Sequence, residues 1–192
     1  PFINPEKEIE TTEDALAGAR DIMAEWVTEN QEARALMRSL FLQKGVVISK
    51  VDSGKEEEGA KYKDYFDWEE PLKKAPSHRI LAIRRGENEG ILTLRIAPEE
   101  RRALALLESL FITGRFGTSE QVQIAVHDSY KRLLSHSMET EVRMTSKKEA
   151  DEEAIRIFAG NLRQLLLSPP LGQKNILAID PGFRTGCKVV CL

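Results

Sequence analysis

Cross-linking chemistry is nearly absent from this sequence. Its 192 residues include two cysteines, Cys187 and Cys191, four apart in an apolar run. On a strand they share a face and lie too far apart to bridge each other. With no other cysteine, a disulfide framework or a thiolate zinc site within the chain is excluded. Both therefore read as small core residues, and the compartment as cytoplasmic. No apolar stretch approaches the roughly 20 residues that cross a bilayer, and no basic segment followed by a hydrophobic one opens the chain. Neither a membrane span nor a signal peptide is expected. A phosphate-binding loop is also missing, because Gly54-Lys55 lacks the Ser or Thr after the lysine and the upstream glycine. Of the three histidines, His78 and His127 have no cysteine or serine placed for activation. His136 adjoins Ser135 and Ser137, and adjacent helical residues do not face each other. No catalytic histidine follows.

What is present, 41% hydrophobic and 31% charged residues, suffices for one domain core plus a piece of a second. The chain opens on Pro1 and stops inside a strand-like run, which reads as an excised fragment. Its net charge of -3 is unevenly spread. Residues 1–70 hold 9 Lys+Arg against 17 Asp+Glu, residues 71–116 hold 9 against 5, and residues 117–192 hold 10 against 9. An anionic partner is expected to meet the middle. There Lys61, Lys63, Lys73, Lys74, Arg79, Arg84 and Arg85, interleaved with Tyr62, Tyr65 and Trp68, have the composition of a nucleic-acid surface, cations for phosphates and rings for stacking. Glu56, Glu57, Glu58, Asp64, Asp67, Glu69 and Glu70 lie in the same stretch and oppose that reading. The alternative is an irregular segment anchored by its aromatics, with its charges paired on the surface.

The pattern is mostly helical. After an extended lead over residues 1–10, Thr11 or Thr12 caps a helix with Ala15, Leu16, Ala19, Ile22, Met23, Trp26 and Val27 on its apolar face. Asn30 caps a second helix that should end at Gly45, a residue able to take the left-handed conformation, giving a helical hairpin. Residues 46–51 read as extended, and residues 54–76 as short helical turns and loops. A helix capped by Ser77, with Leu81, Ala82 and Arg85 stems inward, leads to Gly90. Residues 91–96 alternate as a strand, and Pro98 opens a helix that runs to about Gly114. Thr118 or Ser119 caps a further helix that continues past His136 toward Thr145-Ser146, where a break is expected. A last long helix ends at Pro169-Pro170. Beyond a linker at 171–174 the character changes to an apolar run ending in Asp180, a Pro181-Gly182 turn, and a second run from Cys187. A hairpin of a new domain is expected from about residue 172.

A carboxylate at a strand end followed by a tight turn suits metal-dependent phosphoryl transfer, and it also suits a plain turn. The longer string Ile176-Leu-Ala-Ile-Asp180-Pro-Gly-Phe-Arg184-Thr-Gly186-Cys-Lys-Val189 resembles the opening of the YqgF domain, an RNase H-like, RuvC-resolvase-like module, in the form found in the Tex family of transcription accessory proteins. The resemblance extends upstream through Phe2 to Glu6, Glu13 to Ile22, Gly54 to Phe66, Glu70 to Leu72, Ala75 to Arg79, Arg85 to Gly90 and Asn161-Leu162.

The resemblance implies a mostly α, elongated multi-helix array over residues 1–171, ending at 172–192 in the first β-hairpin of an α/β RNase H-like domain. It implies a non-catalytic scaffold acting in transcription, with RNA or DNA as partner through the longer protein and no cofactor of its own. Two alternatives stand beside it. One is a metal-dependent nuclease in which Asp180 ligates Mg²⁺ together with carboxylates of a longer chain. The other is an interaction surface for the transcription machinery built from the acidic segment Glu6 to Glu32.

Overall fold

The structure, a computed structural model, describes residues 3–4, 9–114, 117–170, 172–182 and 186–192. It divides into two compact units, Pro1–Ala154 and Ile155–Leu192. Most of the expected lead lies outside the described residues, within which Asn4 and Ile9 form an isolated antiparallel bridge.

The first unit begins with α1 (Thr12–Glu29), closed by a reciprocal capping box. The Thr11 hydroxyl oxygen accepts the Asp14 N–H at 3.1 Å, and the Asp14 carboxylate accepts the Thr11 N–H at 2.8 Å. Asn30 ends α1 and caps α2 (Gln31–Lys44), its side chain accepting the Ala33 N–H at 2.9 Å. The expected inward face of α1 needs correction. Ala24 and Val27 are buried, whereas Leu16, Ile22 and Trp26 are exposed. The helix has two apolar arcs, and the arc bearing small Ala24 lets a neighbouring helix approach closely. Gly45 also differs from expectation, with φ -58° rather than left-handed. Glycine is needed there because a Cβ would stand 2.3 Å from the Phe41 carbonyl oxygen.

Three strands, β1 (Val46–Val51), β2 (Asp67–Pro71) and β3 (Leu92–Ala97), form an antiparallel sheet in the order β2-β1-β3. Val47 at its centre faces Glu70 on one side and Ile96 on the other. The stretch 54–76 thus contains a strand where only turns and loops were expected. Asp-Trp-Glu-Glu-Pro has little strand propensity, and pairing with β1 imposes the conformation. The expected turns flank it, as 3₁₀ segments at Ala60–Tyr65 and Leu72–Lys74.

Helix α3 (Ser77–Asn88) buries Ile80, Ile83 and Gly86, with Leu81 and Ala82 half-buried and Arg85 exposed. Ser77 makes no cap, its hydroxyl donating instead to Glu153. Helix α4 (Glu100–Phe111) starts two residues after Pro98 and buries Ala103 and Leu107. Then α5 (Ser119–Asp128), a π-turn at Ser129–Leu134 and α6 (Ser135–Leu166) follow without interruption. No break occurs at Thr145-Ser146, because both hydroxyls return to backbone carbonyls of the preceding turn, those of Glu141 and Arg143. Helix α1 packs on α5 and the π-turn, where Ser129, fully buried, shares a hydrogen bond of 2.8 Å with Thr28.

The hydrophobic core runs from Val27 through Met37, Phe41, Ile83, Leu94, Leu107 and Leu134 to Ala150, gathering every layer of the first unit. The two sheet edges differ. The Val51–Phe66 and Leu72–Gly45 hydrogen bonds set the phase of β2, so Asp67, Glu69 and Pro71 point their backbone outward. On the other edge, α6 supplies side chains in place of a strand: Glu139 accepts the Ile96 N–H at 2.9 Å and Arg143 donates to the Leu94 carbonyl at 2.5 Å.

The second unit holds the last turns of α6 and a hairpin, β4 (Leu177–Pro181) with β5 (Cys187–Cys191), in which Asp180 is opposite Lys188. Gly186 has φ +65° at the turn, whose residues 183–185 lie outside the described set. Leu171 of the expected linker lies outside it too. Cys187 and Cys191 are exposed rather than core residues, since the strand residues of this hairpin are all exposed. The chain is thus mostly α, a multi-helix array ending in a β-hairpin, and among the described residues no helix is long and apolar enough to cross a membrane.

Candidate nucleic-acid interface

The seven cations singled out in the sequence sit on three elements. Lys61 and Lys63 lie on the 3₁₀ segment before β2, Lys73 and Lys74 on the one after it, and Arg79, Arg84 and Arg85 on α3. At 100° per residue, the three arginines point in three directions around their helix and make no single stripe.

Three of the seven are held by carboxylates of the same fold. Lys61 reaches Glu89 at 2.7 Å, Arg79 reaches Glu70 at 2.8 Å and Arg84 reaches Glu87 at 3.0 Å. The Glu89 hydrogen bond raises the Lys61 pKa above its ordinary value, and the Lys61 hydrogen bond holds the Glu89 carboxyl below its own. Lys73 donates to Gln43 at 2.5 Å. Arg85 is exposed and contributes to the depression of Glu89. Lys63 and Lys74 are exposed and make no ion pair with any described residue.

The aromatics are anchors more than platforms. Tyr62 is buried against the core, which pushes its phenol pKa up. Tyr65 and Trp68 meet edge to face at 6.3 Å, and Arg79 lies 5.7 Å over the Trp68 ring. Trp68 is thus already covered on one face by an arginine that Glu70 fixes in place.

Elsewhere, His127 contacts Glu108 at 2.6 Å, and Gln123 donates to the same carboxylate at 2.8 Å. The Gln123 bond, then the His127 bond, hold the Glu108 carboxyl below its usual value. His78 and His136 are exposed on their helices. Asp180, at the end of β4, is exposed, and among the described residues no three His, Cys, Asp or Glu side chains converge as a metal site. One strand carboxylate does not fit Mg²⁺, which needs several oxygen ligands in octahedral array.

Sequence reading missed the tie formed by Glu87, Glu139 and Arg143. Arg143 bonds to Glu87 on α3 and lies 3.9 Å from Glu139, while Glu87 also holds Arg84. The only local signal is the Glu139-Arg143 spacing of four on a helix; the partners on α3 and β3 are some fifty residues away.

These features define a helical framework module built on a small three-stranded sheet. The chain belongs to the Tex family, matching its Tex central region-like domain over residues 1–158. It is 38% identical over its whole length to Protein tex of Bordetella pertussis, 37% identical over 91% of its length to the transcriptional accessory protein Tex of Neisseria gonorrhoeae, and 28% identical over its whole length to the human S1 RNA-binding domain-containing protein 1. It spans 26%, 24% and 21% of those proteins respectively, about a quarter.

Proposed function

We propose that this chain is the non-catalytic helical scaffold of a Tex-type transcription accessory protein, positioning nucleic-acid-binding parts of a longer protein rather than gripping nucleic acid strongly itself. The observation that carries this reading is the internal pairing of Lys61, Arg79 and Arg84 with Glu89, Glu70 and Glu87. A phosphate would have to compete with carboxylates already in place, so direct contacts fall to Lys63, Lys74 and Arg85. The family, and relatives whose names mention transcription and RNA binding, supply the nucleic-acid context. The terminal hairpin fits the opening of an RNase H-like domain of YqgF type, beginning near residue 172. Asp180 would then serve as a metal ligand only beside carboxylates of the rest of that domain.

Fluorescence anisotropy with single-stranded RNA, single-stranded DNA and duplex DNA across a salt series tests the reading. Weak binding is expected, falling with salt and lost when Lys63, Lys74 and Arg85 are neutralised together. Tight binding that survives this triple substitution would overturn it.

A further inference from the structure

Helix α1 presents an apolar row that the fold leaves uncovered. Ile22 and Trp26, one helical turn apart, are 51% and 68% exposed, and exposed Ala19 extends the row toward the N-terminus. Trp26 is a large exposed side chain on a helix whose other apolar arc, at Ala24 and Val27, already packs into the core.

One side of this row is anionic. From Glu10 to Glu32 the chain holds seven acidic residues and one basic residue, Arg20. Arg20 is turned away, donating to Gln121 and Glu13. Asp21 is engaged by Arg132. Glu25 and Glu29, both along the same side of the Trp26 row, are exposed and form no salt bridge with a described residue. A second copy of the same face would set acid against acid, and nucleic acid or an anionic membrane would be repelled. The complement is a helix with apolar side chains at spacings of three and four, flanked by Lys or Arg.

We propose that the Ala19–Ile22–Trp26 row docks a basic amphipathic helix of a protein partner, with its cations reaching Glu25 and Glu29. The proposal is independent of the nucleic-acid reading, and its test uses no nucleic acid. A labelled helical peptide of Leu and Lys in amphipathic register is titrated with the protein and followed by anisotropy, beside a Leu and Glu peptide of the same register. The Lys peptide is expected to bind, to shift Trp26 emission to shorter wavelength, and to bind about tenfold more weakly or worse to the Ile22→Ser/Trp26→Ser protein and to the Glu25→Lys/Glu29→Lys protein. All four positions are exposed, so melting curves of the variants should match the wild type. Four results would overturn the idea: undiminished binding to the Ser variant, equal binding of the Glu peptide, a dimer in sedimentation that Trp26→Ser abolishes, or Trp26 shielded from acrylamide in the free protein. The last two would assign the row to a second copy or to the protein's own chain.

Discussion

Tyr130 illustrates how a single buried group ties stability to pH. It is 4% exposed, and burial, aided by Glu100, pushes its phenol pKa up to about 12 from 10.0. Between those values the unfolded chain has lost a proton that the folded chain keeps, so stability falls as pH rises through that window and is unaffected below it. Tyr130→Phe should remove this alkaline loss, read from urea midpoints at rising pH. The Arg38–Glu141 pair acts at the acid end. Arg38 bonds to both carboxylate oxygens, and that hydrogen bonding, before its charge, holds the Glu141 carboxyl below its ordinary value. Its contribution is present above the ordinary carboxylate range and disappears as acidification passes through the lowered value. Both side chains are half-exposed, so a double-mutant cycle with Arg38→Ala and Glu141→Ala should give a small favourable coupling that shrinks with salt.

Among the elements, α6 does the most varied work. Met138, Val142 and Ala150 are buried at intervals of four and eight, and on a 3.6-residue helix such a row drifts by about 120° from first to last. The buried stripe therefore winds around the helix, which lets it meet α2 through Glu141, the β3 edge through Glu139 and Arg143, and α3 through Glu153. Glu139→Ala should leave the Ile96 amide without its acceptor and raise its hydrogen-exchange rate, while that of Thr93, which pairs with Lys50 inside the sheet, is unchanged. Much of this level was legible in the sequence. Caps at Thr11 and Asn30, alternation in β3 and the helical periods of α2 and α4 are local signals, and the structure follows them. What was not legible depended on distant partners. The inward arc of α1 was decided by which neighbour packs on Ala24, and β2 exists because β1 pairs with it. Thr145-Ser146 looked like a break only because a hydroxyl's return to the preceding turn is invisible in a list of residues. The four lysines lie exposed on the 3₁₀ segments and the three arginines on α3, and their carboxylate partners were foreseen only as a general possibility. Glu89 and Glu87 lie in a helix and its cap, away from the acids that drew attention.

For the whole molecule, the distribution of burial sets what can be removed. The core ends at Ala150, and among the described residues of 155–192 Ile176 alone is half-buried, the rest being exposed. A chain ending after Ser168 should melt within about 2 °C of the full one by calorimetry, since it loses no core contact; a larger drop would show that the hairpin supports the first unit. The sheet edges bear on how the protein meets others. Asp67, Glu69 and Pro71 blunt one edge, and α6 side chains occupy part of the other. Backbone pairing, which accepts almost any extended chain, is thereby disfavoured at this sheet. Recognition falls to side chains on the surface, so specificity can diverge between relatives through single exchanges there while the strands beneath stay as they are.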